Sequence, residues 1–549
     1  MAFILAFVFR AFIVEAFVIP TGSMAATLYG KHGTLVCSDC GWENVYGLTD
    51  RSTRPPRYGP DAVALCQNCN HGNTDLSIHD GAGRGVPKDL RRRGNAQSGD
   101  RILVLKWPLN IGGSFLDPNR WDVTVFKNPS NGNENYIKRL VGLPGEVLEI
   151  IDGDVYTVPV GQLSDETIEV LDEWRRIKYR LRTNQSTRTQ GARKLARGAT
   201  QAALDELAEK LRISVKTPEA QDELWTVVYD HDYPPKILDN GQPYWSPDEV
   251  ARGSQWTTTG RRLAFDGASG GRATVRFAGK AIDDRNAYNI DIRPRMWRPV
   301  ADVRIEAVLH PRGGDGYLQL VLTKHDDAFA VRLDADGRIA LVRFDPGRPA
   351  ESGEMLAEAT TQMLVPGRPI AVAFTNVDYR VSFAINGEEV LATTPDQYAP
   401  DIKALRSRRE EVSRSPWITA ADIDVELRHV VLYRDGFYTS PLFDPRSPIG
   451  GQARTSGWGT TGNPILLREG EYFMLGDNSP ASKDSRLWDH VGDHLTNRGE
   501  DYQMGTVPAD QIVGRAFFVY WPSGLRPDWL PLLRNWGVVP NVGEMRWIR

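Results

Sequence analysis

The chain has 549 residues, 41% of them hydrophobic and 25% charged, with 66 Lys and Arg against 70 Asp and Glu and a net charge of −4. This composition excludes a wholly disordered chain, and a single apolar stretch of near-spanning length excludes a multi-span membrane protein. No basic run exceeds Arg91-Arg92-Arg93, so no charge pattern points to a nucleic-acid partner.

In chain order, the apolar stretch comes first: residues 2–19 read AFILAFVFRAFIVEAFVI. As a helix it would span about 27 Å at about 1.5 Å per residue, barely a bilayer core, and Arg10 and Glu15 interrupt it. It reads best as the end of a membrane helix over Met1 to Phe9, with part of the anchor upstream. An alternating strand then carries Phe12, Val14, Ala16 and Val18 on one face. A buried hydrophobic strand or helix is the plainer alternative. Pro20-Thr21-Gly22-Ser23-Met24 follows as a turn.

Residues 31–97 hold both cysteine pairs, Cys37-x-x-Cys40 and Cys66-x-x-Cys69, with residues 41–65 between them. Two such knuckles put four thiolates around a tetrahedral Zn²⁺, which would be structural; two disulfides are the alternative. Strands are expected from Arg101 to Trp107 and from Trp121 to Lys127. Hairpins are expected from Tyr136 to Tyr156, broken at Gly142, Pro144-Gly145 and Asp152-Gly153-Asp154. From Leu163 to Leu211 two helices are expected. One carries Ile168, Leu171, Ile177 and Leu181, the other Leu204, Leu207 and Leu211, and the polar stretch Thr183 to Gly191 separates them.

From Leu224 to Tyr438 the alternation has period two, at Val303/Ile305/Ala307/Leu309, Phe329/Val331/Leu333, Ile370/Val372/Phe374 and Val381/Phe383/Ile385. Asn386-Gly387 falls between two apolar strands as a hairpin turn. The segment resembles concanavalin/laminin-G-like jelly rolls, a fold pattern shared by sugar binders and spacers, and it is expected to have a self-contained core. The last segment, from Trp458, returns to strands and turns. Its tail carries Trp529, Trp536 and Trp547 with Arg534, Arg546 and Arg549, suited to a membrane interface or, more ordinarily, to a packed C-terminal cap.

Three pieces could do chemistry. Ser23 sits on a turn where Pro20 fixes the chain and Gly22 permits close backbone approach. Lys138 lies in an apolar strand, and if it points inward its desolvated amine is a usable general base. The loop Gly476-Asp477-Asn478-Ser479-Pro480-Ala481-Ser482-Lys483-Asp484-Ser485-Arg486 is dense in hydroxyls and carboxylates. By contrast, the Gly-x-Ser-x-Gly string around Ser269 reads as a glycine-rich turn, because a strand rather than a helix follows it.

Together these blocks resemble bacterial type I signal peptidases, membrane-bound Ser/Lys proteases. The matching blocks are Ile19 to Met24 with Thr27-Leu28, Gly99 to Val104, Tyr136 to Gly145, and Gly476-Asp477-Asn478 with Ser482, Asp484, Ser485 and Arg486; Arg10 and Glu15 also fit. Glu146 stands where the family commonly has Asp. Ala25-Ala26 replaces a residue-Pro step, and Ser479-Pro480-Ala481 a more polar stretch. The resemblance implies that Ser23 is the nucleophile and Lys138 its base. It implies an oxyanion hole of the Ser23 N–H and the Thr21 hydroxyl, with Ser482 orienting the Lys138 amine. Asp484 and Arg486 would pair, with Gly476 and Asp477 supporting the site, and Met24 would line the substrate pocket. No catalytic cofactor is implied. The partners would be signal-peptide-bearing preproteins and a lipid bilayer, with the catalytic domain on the extracytoplasmic side of the cell membrane.

The expected architecture is mainly β. A discontinuous antiparallel peptidase domain (20–30, 98–160 and 457–549) follows a membrane-proximal segment (1–19). It is interrupted by a zinc-ribbon-like insertion (31–97), a helical connector (161–223), a β-sandwich (224–438) and a linker (439–456). A catalytically degenerate scaffold displaying a glycan- or partner-binding sandwich is the rival function, although all the reactive groups are present. A Ser/Lys self-cleaving repressor would need an N-terminal helix-turn-helix, and none is visible in the sequence.

Overall fold

The computed structural model describes residues 13–47, 65–72, 79–80, 84–85, 96–106, 118–183, 197–237, 243–248, 255–267, 270–289, 297–408, 415–439, 457–488, 490–522 and 541–548. Met1 to Phe12, Ser269, Trp529 and Trp536 lie outside these residues. No helix among the described residues is long and apolar enough to cross a membrane.

The chain is mainly β. One antiparallel sheet runs in the order Val14–Val18, Arg101–Lys106, Ile512–Trp521, Val123–Asn128, Asn131–Gly142, Glu471–Leu475, Val507–Pro508, with Arg546–Trp547 added against Ile512–Trp521. Its alternation places Ile102, Val104, Val123, Val125, Ala516 and Val519 in one buried cluster. The N-terminal strand forms, but Ala16 and Val18 lie on its exposed face. The inward side chains are Phe17 and Ile19, which pack on that cluster. The C-terminal strand is tied down as well, with Ile548 buried in the same cluster and Trp547 60% exposed.

A smaller sheet orders Arg212–Ile213, Asp154–Pro159, Glu146–Ile151 and Ile465–Leu467. Asp152 and Gly153 have φ of 53° and 88°, the two positive values a type I′ hairpin turn requires. Helices Asp165–Thr183 and Arg197–Lys210 lie against this sheet, with Leu171, Leu207 and Leu211 buried beside Val147 and Val158.

The third sheet is the sandwich, thirteen strands among the described residues. Val303–Lys324 and Trp417–Arg434 pair along most of their length, with register shifts between Pro311 and Gly313 and between Gly314 and Tyr317. Before the shifts Val303–Lys324 neighbours Ile370–Val377; after them it neighbours Asp327–Asp334. One ladder thereby feeds two layers, and Ile305, Phe374 and Phe383 meet Leu320, Phe329 and Leu341 in a common core. Asn386 and Gly387 turn with φ of 51° and 85°, and Ile385 pairs with Glu388 across them.

This core is not self-contained. It is continuous with Val147, Val158 and Leu207 of the preceding segments. Two buried lysines also join it to the rest. Lys324 Nζ lies 2.5 Å from Asp302 and 3.2 Å from Asp154, while Lys216 Nζ lies 2.5 Å from Asp378 and 2.7 Å from Asp435. Arg406 of the sandwich binds the fully buried Glu149. Each buried charge needs a partner, and these partners come from different segments of the chain.

Candidate active site

The turn after Val14–Val18 is compact. Ile19 N–H donates to the Asp100 carbonyl at 2.8 Å, Ala25 N–H to the Gly22 carbonyl at 3.1 Å, and Leu28 N–H to the Met24 carbonyl at 2.8 Å. Ser23 is half-buried on this turn. Strand alternation in Asn131–Gly142 sends Lys138 and Arg139 to opposite faces. Lys138 turns to the serine, its Nζ donating to Ser23 Oγ at 2.6 Å and to the Ile137 carbonyl at 2.9 Å. Lys138 is 4% exposed. Burial lowers its amine from the ordinary lysine value to about 8; the Asp484 and Asp477 carboxylates pull it back up and the Arg486 guanidinium pushes it down.

The opposite face carries the support. Arg139 donates to both Asp477 oxygens, at 2.9 and 2.8 Å, and to Glu223 at 3.0 Å. Thr27 Oγ1 donates to Asp477 at 2.6 Å, which ties the turn to the distant loop. Within that loop Arg486 binds Asp484 through Nε at 2.9 Å and a terminal nitrogen at 2.6 Å, both residues fully buried. Asp484 also accepts from Gly476 N–H at 3.0 Å. Gly476 has no room for a side chain, since a Cβ there would fall 2.2 Å from Ser482 Oγ and 2.5 Å from the Ser23 carbonyl oxygen. Close approach of the loop to the serine turn therefore requires glycine at this position.

Two expected residues sit differently from their implied roles. Ser482 Oγ is buried without a hydrogen-bond partner among the described residues and does not hold the Lys138 amine; the Ile137 carbonyl does. Met24 is fully buried among Ile19, Leu28, Ile102 and Val104, so its side chain is core rather than pocket lining. Thr21 is exposed on the turn. Glu146, the acid that departs from the family pattern, receives both terminal nitrogens of Arg120, at 2.8 and 2.6 Å, and the Leu143 N–H at 2.8 Å. The longer side chain thus closes the turn before its own strand.

Sequence reasoning missed the role of Asn478. Its N–H donates to the Ser23 carbonyl at 3.1 Å and its Nδ2 to the Gly22 carbonyl at 2.8 Å. The block Gly476-Asp477-Asn478 located the residue but not the contact. Glu223, at the end of helix Pro218–Leu224, was also missed, because nothing local in sequence links it to Arg139.

A second cluster lies in the first insertion. Cys37, Cys40, Cys66 and Cys69 are free and buried, their sulfurs all within 4.8 Å of one another. Cys37–Cys69 and Cys40–Cys66 separations are 3.7 and 3.6 Å. A tetrahedron with metal–sulfur bonds of about 2.3 Å has edges of about 3.8 Å, so the donor set fits a tetrahedral ion. Trp42 N–H and Asn44 Nδ2 point at sulfurs Cys40 and Cys66, each at 3.5 Å. The four aspartates 154, 302, 378 and 435 also converge, but the ammonium groups of Lys216 and Lys324 already neutralise them in part.

Residues 86–202 and 442–521 match the family described as signal peptidase, peptidase S26. Those segments hold Lys138 and the loop from Gly476 to Arg486, and Ser23 lies before them. Among curated proteins, signal peptidase I of Rickettsia akari (strain Hartford) is 41% identical over 63 residues, 11% of this chain and 21% of that protein. Signal peptidase I of Rickettsia typhi (strain ATCC VR-144 / Wilmington) is 28% identical over 166 residues, 30% of this chain and 40% of that protein. The chain thus spans between about a fifth and two fifths of these relatives' length. Among solved structures, a Bacillus subtilis protein of unknown function with a galectin-like fold aligns with a TM-score of 0.25 and 11% identity, covering 38% of this chain and 98% of that one.

Proposed function

We propose, from the match of residues 86–202 and 442–521 to the signal peptidase family, that this chain is a Ser/Lys endopeptidase that cleaves signal peptides from exported preproteins. Ser23 Oγ attacks the scissile carbonyl carbon while neutral Lys138 takes its proton. The tetrahedral intermediate collapses to an acyl-enzyme, and the Lys138 ammonium returns the proton to the leaving amine. Water, deprotonated by the same amine, then releases the acyl product. The Ser23 N–H, with the Thr21 hydroxyl, would stabilise the oxyanion. The active site would face the extracytoplasmic side of the cell membrane, and the groove would admit small side chains before the scissile bond.

A single observation carries this reading: the buried Lys138 amine, lowered to about 8, stands 2.6 Å from Ser23 Oγ. A lysine at that value is partly neutral near physiological pH, which a general base requires. Catalysis needs no cofactor. The four cysteines would hold a structural Zn²⁺ whose role is to fix the knuckle.

The test is cleavage of a fluorogenic peptide with small residues before the scissile bond. Ser23→Ala and Lys138→Arg should each abolish turnover while the protein stays folded, since a guanidinium does not deprotonate. Near-normal turnover of Lys138→Arg would place the base elsewhere.

A further inference from the structure

We propose that Tyr288 and Asn289, which the large insertion carries, are positioning residues for the Ser23 turn. This deepens the Ser/Lys reading and rests on it. Asn289 and Asn478 exchange two hydrogen bonds, each donating Nδ2 to the other's Oδ1 at 2.8 Å. Asn478 spends its remaining donors on the serine turn, Nδ2 to the Gly22 carbonyl and the backbone N–H to the Ser23 carbonyl. The Asn289 pair holds the Asn478 carboxamide in place, and its second Nδ2 hydrogen goes to the Gly22 carbonyl.

The consequence follows from peptide geometry. The Gly22 carbonyl and the Ser23 N–H belong to one planar trans unit and point in opposite directions. Anchoring that carbonyl on Asn478 aims the Ser23 N–H away from it, and this N–H is the proposed oxyanion donor. Such a donor works only when it is already oriented before charge develops.

Tyr288 acts on the same unit from another side. A Cβ at Gly22 would fall 1.8 Å from Tyr288 Cε1, so the ring closes directly over the glycine. Asn286 Nδ2 reaches the Ala25 carbonyl at 3.3 Å. The segment is itself braced: Ala287 N–H donates to Gln67 Oε1 at 3.1 Å, beside the cysteine knuckle, and Arg434 of the sandwich donates to the Arg285 carbonyl at 2.8 Å. The insertion thus reaches the reacting serine through a held strap.

Kinetics on the full chain with the same peptide test this. Asn289→Ala and Tyr288→Ala should each lower kcat about tenfold with KM unchanged. The acid limb of the pH profile should stay in place, because no charge near Lys138 is altered. Tyr288→Phe, which keeps the ring but loses the hydroxyl that also lies over Gly22 and reaches the Lys31 carbonyl at 3.4 Å, should lose less kcat than Tyr288→Ala. Asn289→Asp, which keeps the acceptor and loses the donor, should fall between, and it serves if the alanine variant does not fold. Asn289→Ala added to Asn478→Ala should cost little more than Asn478→Ala alone. Wild-type kcat in Asn289→Ala and Tyr288→Ala, or a loss expressed only in KM, overturns the positioning role. Should Ser23→Ala retain turnover, the Ser/Lys reading itself falls; a chain dead as Ser23→Ala yet indifferent at residues 288 and 289 refutes the positioning alone.

Discussion

Arg139 binds Asp477 through two hydrogen bonds of 2.9 and 2.8 Å, on the strand face opposite the one from which Lys138 reaches Ser23. One strand thus supplies the proposed base and, one residue later, the cation that holds the supporting loop. The alternation of strand side chains makes both possible at adjacent positions. Because Asp477 also acts on the Lys138 amine, this ion pair bears on the base as well as on the fold.

The first expected outcome is a rise of kcat/KM with pH through an acid limb near about 8, where the buried amine loses its proton. The stability sign follows. The folded value lies below the unfolded one of 10.5, so between about 8 and 10.5 the unfolded chain holds a proton that the folded chain has shed. This group's contribution to stability therefore rises with pH through that window. Below it, the buried cation costs on the order of 3 kcal/mol at about 1.36 kcal/mol per unit. Lys138→Met should be inactive yet melt higher than the parent at pH 6, as followed by circular dichroism. A lower melting temperature would mean that the lost bonds to Ser23 and Ile137 outweigh the relieved desolvation.

Asp477→Asn should move the acid limb to lower pH. The Asp477 carboxylate favours the charged amine, so its neutralisation leaves Lys138 easier to deprotonate. Arg139 keeps Glu223 at 3.0 Å, so the strand retains one of its partners. The pH dependence of peptide cleavage reads this directly, and a limb displaced upward would contradict the assigned electrostatics.

Metal analysis of protein purified without added metal should find about one zinc per chain. Chelation should lower kcat as well as stability. The link is Gln67, between Cys66 and Asn68, which holds Ala287 N–H next to Tyr288. Four oxidised thiols with little zinc, or chelation without effect on kcat, would separate the knuckle from the active site.

Much of the fold was legible because its signals are local. Alternation located the strands around Val303 and Ile370, Asn386-Gly387 located a hairpin turn, and Asp152-Gly153 another. Lys138 was legible as a charge inside an apolar strand. What stayed hidden depends on contacts between distant segments. Tyr288 covers Gly22 and Asn289 pairs with Asn478 across 189 positions of sequence, with no local pattern to mark either. The family resemblance implies Met24 as pocket lining beside Ser23, but the turn directs it inward onto Ile102 and Val104. No local pattern marks the buried lysines 216 and 324, whose partners Asp378 and Asp154 come from distant parts of the chain.

Those lysines decide what the insertion can tolerate. The sequence suggests that residues 224–438 can be removed without harm to peptide cleavage; the structure predicts the opposite. Excision leaves Asp154 without Lys324, and Lys216 without both Asp378 and Asp435. It strips Asn289 from Asn478 and bares the core around Val147 and Val158. A point substitution isolates the electrostatic part. Lys324→Met leaves Asp302 and Asp154 buried without their ammonium, and breaking such a pair costs about 3–5 kcal/mol. Denaturant unfolding of Lys324→Met should show that loss, while Lys403→Met, whose ion pair with Glu209 is exposed, should change stability by less than about 1 kcal/mol. The excised chain should lose peptide cleavage even when purified in soluble form. If it cleaves the peptide at the parent rate, the strap does not set the serine turn, and the insertion is the independent unit that its strand pattern suggests.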